Sequence, residues 1–151
     1  MTHPYTRTFV VRWGDVDANG HMRNTAYSEL ASDTRAGLLA SLGYDWARFQ
    51  SLKLGPILFR EEIEYRREAN MGDEVIVDAL SAGLSPDAYR WSLRNRMWKR
   101  DGTELAVVTV VGAWIDLETR KLVVPPADLA AGMRAVPRSE PWAELPPQRK
   151  R

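Results

Sequence analysis

Residues 24–43, "NTAYSELASDTRAGLLASLG", decide how the chain folds. Ala26/Tyr27, Leu30/Ala31, Leu38/Leu39 and Leu42 recur about every 3.6 residues with small or polar residues between them, the pattern of one amphipathic helix. Asn24 is suited to the N-cap and Gly43 to the C′ position. At 1.5 Å per residue, a helix over 24–42 is about 28 Å long. Gly37 in its interior costs roughly 1 kcal/mol relative to Ala, which is tolerable where a neighbouring backbone packs close.

Upstream, "TRTFVVRW" (6–13) sets Phe9, Val11 and Trp13 against Thr8, Val10 and Arg12, the period-2 pattern of a strand. "GDVDANGHMR" then breaks it with two glycines, an asparagine and two aspartates. Downstream, "YDWARFQ" (44–50) predicts a short helical turn or second helix, and Gly55-Pro56 marks a fresh start. Residues 57–67 place Ile57, Phe59, Ile63 and Tyr65 against Arg60, Glu62, Glu64 and Arg66; 74–82 carry Val75, Val77 and Ala79; 88–100 alternate Tyr89, Trp91, Leu93 and Met97 with Arg90, Ser92, Arg94 and Arg96. Asp101-Gly102 signals a hairpin into 104–116, where both alternating sets are apolar or small.

One strand, one long helix and about four long strands without alternating helices predict an α+β domain with an antiparallel sheet of about five strands. Strands of 10 to 13 residues span roughly 33 to 43 Å at 3.3 Å each, close to the helix length, so the sheet curls around the helix in a hot-dog geometry. The strand at 104–116 is apolar on both faces, and one helix covers only one of them. A symmetric copy is the simplest cover, so a homodimer or homotetramer is expected. "PADLAAGMRAV" (126–136) predicts a short helix closing a single domain over 1–136, and the proline-rich 137–151 is expected to be a loosely ordered tail.

Composition narrows the chemistry. With 151 residues, 44% hydrophobic and 27% charged, the chain has the balance of one soluble globular domain. Neither a transmembrane run nor a secretory h-region is visible, so a cytoplasmic location with no membrane partner is expected. A net charge of +1 gives no field for nucleic acid. Cysteine is absent and only His3 and His21 carry imidazoles, which removes thiol nucleophiles, thiolate metal sites and His-rich metal sites. No cofactor is called for, and carboxylates, hydroxyls, backbone amides and one or two imidazoles must do the work.

"RWGDVDANGHMRNTAY" (12–27) resembles the signature R-[WY]-x-D-x-D-x-x-G-H-x-N-N-x-x-Y of the 4-hydroxybenzoyl-CoA thioesterase/acyl-CoA thioester hydrolase family, whose fold is the hot dog. Asp33 and Arg35 stand where the family often carries a Glu-x-x-Arg-like pair. "PILFREEIEYRREANMGDEVIV" and "VGAWIDLETRKLVVPP" resemble its second strand with the Gly-Asp turn and its last strand. The likeness covers roughly residues 7–130. The chain departs from the pattern at Arg23, where Asn is common, and at Asp33, where Glu is usual.

The resemblance implies an acyl-CoA thioesterase releasing free acid and coenzyme A. Asp17 matches the catalytic carboxylate, the backbone N–H near Asn24 the amide that polarises the thioester carbonyl, and His21 a histidine near the reacting group. Asp15 matches an acid that is more often structural. Tyr27 and Phe59 are the candidate substrate contacts, and each is also simply explained as core. From the residues alone, Asp-x-Asp before a helix is more simply an Asx-turn with a dipole partner, and it is the resemblance that favours a catalytic Asp17. A hot-dog dehydratase or hydratase and a non-catalytic acyl-CoA-binding module stay open beside the thioesterase. Arg94, Arg96, Lys99 and Arg100, with Arg66 and Arg67, could meet the phosphates of coenzyme A, but such a run is more often a solvated strand face or a blunted edge and is left out of the site.

Overall fold

The computed structural model describes residues 3–149. Its elements are β1 (Tyr5–Val10), α1 (Asn24–Ser41), α2 (Trp46–Leu52), β2 (Leu54–Tyr65), β3 (Glu74–Leu84), β4 (Arg90–Lys99), β5 (Glu104–Asp116), β6 (Leu122–Val123), α3 (Ala127–Ala135) and β7 (Arg138–Glu144). The sheet runs β1-β3-β4-β5-β2, with β6 on β5 and β7 on β3. All pairings are antiparallel except β3 with β7. This is the expected α+β hot dog: Ala31 and Leu38 of α1 share one buried cluster with Val75 and Val77 of β3, Leu93 and Met97 of β4, and Val108, Val110 and Trp114 of β5.

The sheet has seven strands, not about five. β6 is a two-residue addition to β5, and β7 lies in the segment expected to be a loose tail. Prolines there hid a strand that is fixed by contacts remote in sequence. Ser81 N–H donates to Pro137 O, Trp142 Nε1 to Ser81 Oγ at 3.0 Å, and Arg94 NH1 to Ser139 Oγ at 2.6 Å. The guanidinium of Arg138 lies 3.7 Å over the Trp142 ring. Residues 1, 2, 150 and 151, the outer ends of the expected domain and tail, lie outside the described residues.

The first strand also ends early. The alternation to Trp13 is cut at Val10, and Trp13–Asp15 form a 3-10 turn that leaves Trp13 80% exposed. The Asp15 carboxylate causes the break, because it accepts from both the backbone and the guanidinium of Arg12.

α1 begins at Asn24, with Arg23 rather than Asn24 as its cap. Gly37 is explained by a side chain and not by a backbone, since a Cβ there would meet the Tyr5 ring and hydroxyl. In β5 the set Ala106, Val108, Val110 and Trp114 is buried, while Val107, Thr109 and Val111 on the other face are half-buried in the single chain. No helix is long and apolar enough to cross a membrane among the described residues.

Gly112 of β5 sits where β2 and β4 close on it. A Cβ there would stand 2.3 Å from Ile57 O and 2.6 Å from Trp91 Cζ2. Trp91 faces Gly112 across the β4–β5 ladder, so its indole occupies the space a side chain would take. Gly112→Ala is therefore predicted to destabilise the fold by about 1 to 3 kcal/mol, the usual cost of overpacking, read as a lowered midpoint in urea. An unchanged midpoint would contradict this packing.

Candidate active site

The loop between β1 and α1 is held from below by the chain that leads into β3. Val11 N–H donates to Asp73 O, Gly72 N–H to Val11 O and Met22 N–H to Ala69 O. Asp15 is buried, and its carboxyl is held below the ordinary carboxylate range, chiefly by the hydrogen bond from the Arg12 side chain. Its backbone carbonyl accepts from Arg23 N–H at 2.8 Å, tying the 3-10 turn to the start of α1. The expectation of a structural Asp15 agrees with this arrangement.

Asp17 differs from Asp15 in being exposed. Its Oδ1 accepts from Asn19 N–H at 2.8 Å and His21 N–H at 3.2 Å, and its own N–H donates to His21 O at 2.8 Å. This is an Asx-turn, completed by Gly20 at φ +79°, a left-handed conformation that favours glycine. Oδ2 receives no hydrogen bond among the described residues, so one carboxylate oxygen is fixed and the other is free. His21, half-buried, points Nε2 at Glu68 Oε2 at 3.2 Å.

Arg23 caps α1 through backbone conformation alone, with no side-chain cap and no acid in the first turn. Its guanidinium turns away to Gly14 O, Thr25 Oγ1 and the Glu29 carboxylate. Asn24 and Thr25 are the first residues of the helix, and their N–H groups have no intrahelical acceptor. Asn24 O accepts from the Tyr65 hydroxyl at 3.3 Å. Tyr27 is buried and packs edge-on against Tyr65 with ring centroids 5.2 Å apart; burial pushes its phenol up.

The structure thus brings Asp17, His21 and Asn24 into one turn and one helix start, with Tyr27 buried behind them. Phe59 is elsewhere. It forms the bulge in β2, is 50% exposed and lies under the Arg90 guanidinium. Six residues, about 20 Å of strand, separate it from Tyr65, so it is neither core nor beside Asp17.

A cavity of about 670 Å³ opens between the second half of α1, α2 and the strands β2, β4 and β5. The sequence reading missed it, and with it the burial of Arg35. The signal was available, since Arg35 falls four residues after Ala31 and four before Leu39, on the apolar face of α1.

The family model described as thioesterase-like superfamily matches residues 11–133. No curated protein matches the chain. Several solved structures are similar in fold. The hypothetical protein SAV2348 from Staphylococcus aureus, solved in complex with CoA, superposes with a TM-score of 0.85 at 22% identity, covering 93% of this chain and 89% of that one. Slr0204, a 1,4-dihydroxy-2-naphthoyl-CoA thioesterase from Synechocystis, gives 0.78 at 17% identity, covering 88% and 97%. The gentisyl-coenzyme A thioesterase BH1999 gives 0.76 at 17%, covering 85% and 98%.

Asp15 supplies a pH prediction. Its folded pKa lies below its unfolded value of about 3.9, so its contribution to stability is complete above that value and is lost as pH falls through the folded one. Asp15→Asn should cost roughly 1 to 3 kcal/mol at neutral pH. The gap between the two proteins should close in acid below pH about 4, measured by urea melts across pH. A gap independent of pH would contradict the assigned role.

Proposed function

The chain belongs to the thioesterase-like superfamily, a family of thioester hydrolases, and from that premise we propose that it cleaves an acyl-coenzyme A thioester, with Asp17 as the catalytic carboxylate and the start of α1 as the oxyanion site. One observation carries this reading. A carboxylate with one oxygen fixed by two backbone amides and the other free stands seven residues before the start of an 18-residue helix that has no side-chain cap.

Attack on a thioester carbonyl places negative charge on its oxygen, and the open N–H groups and positive dipole end of α1 favour that charge. Asp17 then acts by one of two routes. As a base it takes a proton from water, which adds to the carbonyl, and collapse expels coenzyme A thiolate. As a nucleophile its oxygen adds directly, the C–S bond breaks, and water cleaves the resulting anhydride. Both routes use the free Oδ2. His21, anchored by Glu68, supplies a further polar group at the rim of the turn.

In the same reading Tyr27 serves substrate binding by backing the Tyr65 ring against Asn24, and Phe59, remote from Asp17, is proposed only as a contact for a distant part of the substrate, through its exposed ring on β2. The unpaired edge of β2, with Leu58, Phe59 and Tyr65 exposed, supports a homodimer or homotetramer. A cytoplasmic location is proposed on the sequence alone.

Purified protein should release free thiol from acyl-CoA substrates. Asp17→Asn keeps an oxygen that can accept the two amides of the Asx-turn, so it isolates the charge; its rate should fall on the order of 10²-fold or more. Full activity in that variant would refute the role. Where water cleaves the anhydride at its Asp17 carbonyl, a single turnover in ¹⁸O-water leaves label in the Asp17 carboxylate, whereas the base route puts label only in the released acid. An enoyl thioester that gains water without releasing thiol would mark a hydratase instead.

A further inference from the structure

The cavity beside α1 does not border Asp17, His21 or Asn24, and its wall is mainly apolar: Leu39, Phe49, Leu54, Trp91, Leu93 and Trp114 contribute to it. Into this wall is set Arg35, only 7% exposed. A guanidinium carries five N–H donors. Within the described residues its one hydrogen bond is from NH1 to Asn95 Oδ1 at 3.0 Å. Glu61 Oε2 stands 3.9 Å from NH2, beyond hydrogen-bond reach, and Glu61 Oε1 is taken by Ser28 Oγ at 2.8 Å. Burial holds the guanidinium below its ordinary pKa even with Glu61 near. A guanidinium set in an apolar cavity wall with one donor hydrogen-bonded to the protein turns its remaining N–H groups to whatever fills that cavity.

The helix links this cation to the proposed reaction centre. Asn24, Ser28, Ser32, Ala36 and Ala40 follow one another at intervals of four, so they lie along one side of α1. After Asn24 every side chain in that row is short, and Ser32, Ala36 and Ala40 border the cavity. Arg35 lies eleven residues beyond Asn24, about 16 Å of rise, and helical side chains lean back toward the N-terminus. An acyl chain of about ten carbons spans the remaining distance, and 670 Å³ is an ordinary volume for a small-molecule site.

We propose that this cavity receives the acyl group and that Arg35 is its specificity residue, donating hydrogen bonds to a carboxylate at the end of the chain remote from the thioester. The identity of the ligand as an acyl group rests on the thioesterase reading; the recognition of an apolar chain with an anionic tip rests on the cavity and Arg35. The substrate class is then an ω-carboxyacyl thioester, and a plain fatty acyl chain of equal length leaves the guanidinium unmet.

Binding can be read without turnover, because Trp46, Trp91 and Trp114 border the cavity. Titration of the wild-type protein with monomethyl decanedioate and with methyl decanoate should change tryptophan emission in both cases. The carboxylated ester should bind roughly tenfold tighter or more, the worth of one charge-assisted hydrogen bond. Arg35→Met should bring the two ligands to equal affinity, and Arg35→Lys, which keeps the charge and loses the fork, should reduce the preference if the Met variant does not fold. Equal affinities in the wild type, or a preference that survives Arg35→Met, would overturn the assignment. The 9-carboxynonanoyl and decanoyl thioesters of coenzyme A should show the same order in kcat/KM. Preferential binding with no thiol release from any acyl-CoA would reject the thioesterase reading and support Arg35. Thiol release without preference would do the reverse.

Discussion

One helix must be held by one sheet, because α1 has little to hold it alone. Its N-terminus has no side-chain cap, its first turn has no acid, its last turn has no base and Gly37 interrupts its interior. A helix of this kind forms through tertiary burial rather than propensity. Ala26, Ala31, Thr34 and Leu38 disappear against the strands, and Arg35 reaches Asn95 of β4, whose own amide donates to Asp78 O of β3. The same weakness has a chemical side. A cap or an acid at the start of α1 would have neutralised the positive end of the helix, and the sheet makes both unnecessary.

The loop before α1 depends on this arrangement too. Arg23 stands next to the helix N-terminus, yet its guanidinium is engaged by Gly14 O and Glu29. Asp15 and Asp17, two residues apart, are sorted by what surrounds them. The first is buried and paired with Arg12; the second is exposed and braces its own turn.

The sequence shows most of this where local pattern and packing agree. The spacing of α1, its terminal Gly43 and the alternation in β3, β4 and β5 all survive into the structure because the faces they mark are the faces that are buried. Pattern fails where a specific polar contact overrides it. Arg12 and Asp15 turn the chain out of β1 before Trp13, and Ser81 and Arg94 recruit the proline-rich end as β7. Neither partner can be named from the segment itself. The grouping of Asp17, His21 and Asn24 was legible because it is local in sequence. Phe59 was not, since a bulge in β2 reverses which side of a strand a residue occupies. The cavity was not legible either, because its wall is assembled from two helices and three strands.

The Asx-turn at Asp17 carries a consequence for how such a chain can change over generations. The oxygen that shapes the loop and the oxygen left free belong to the same side chain. Most replacements at that position would lose the turn along with the charge, so few neutral intermediates connect this loop to one built on another residue. Asparagine is the exception, because it preserves the turn and discards the charge. On the role proposed for Asp17, a lineage that lost its reaction while keeping its fold would have a single-step route through that residue.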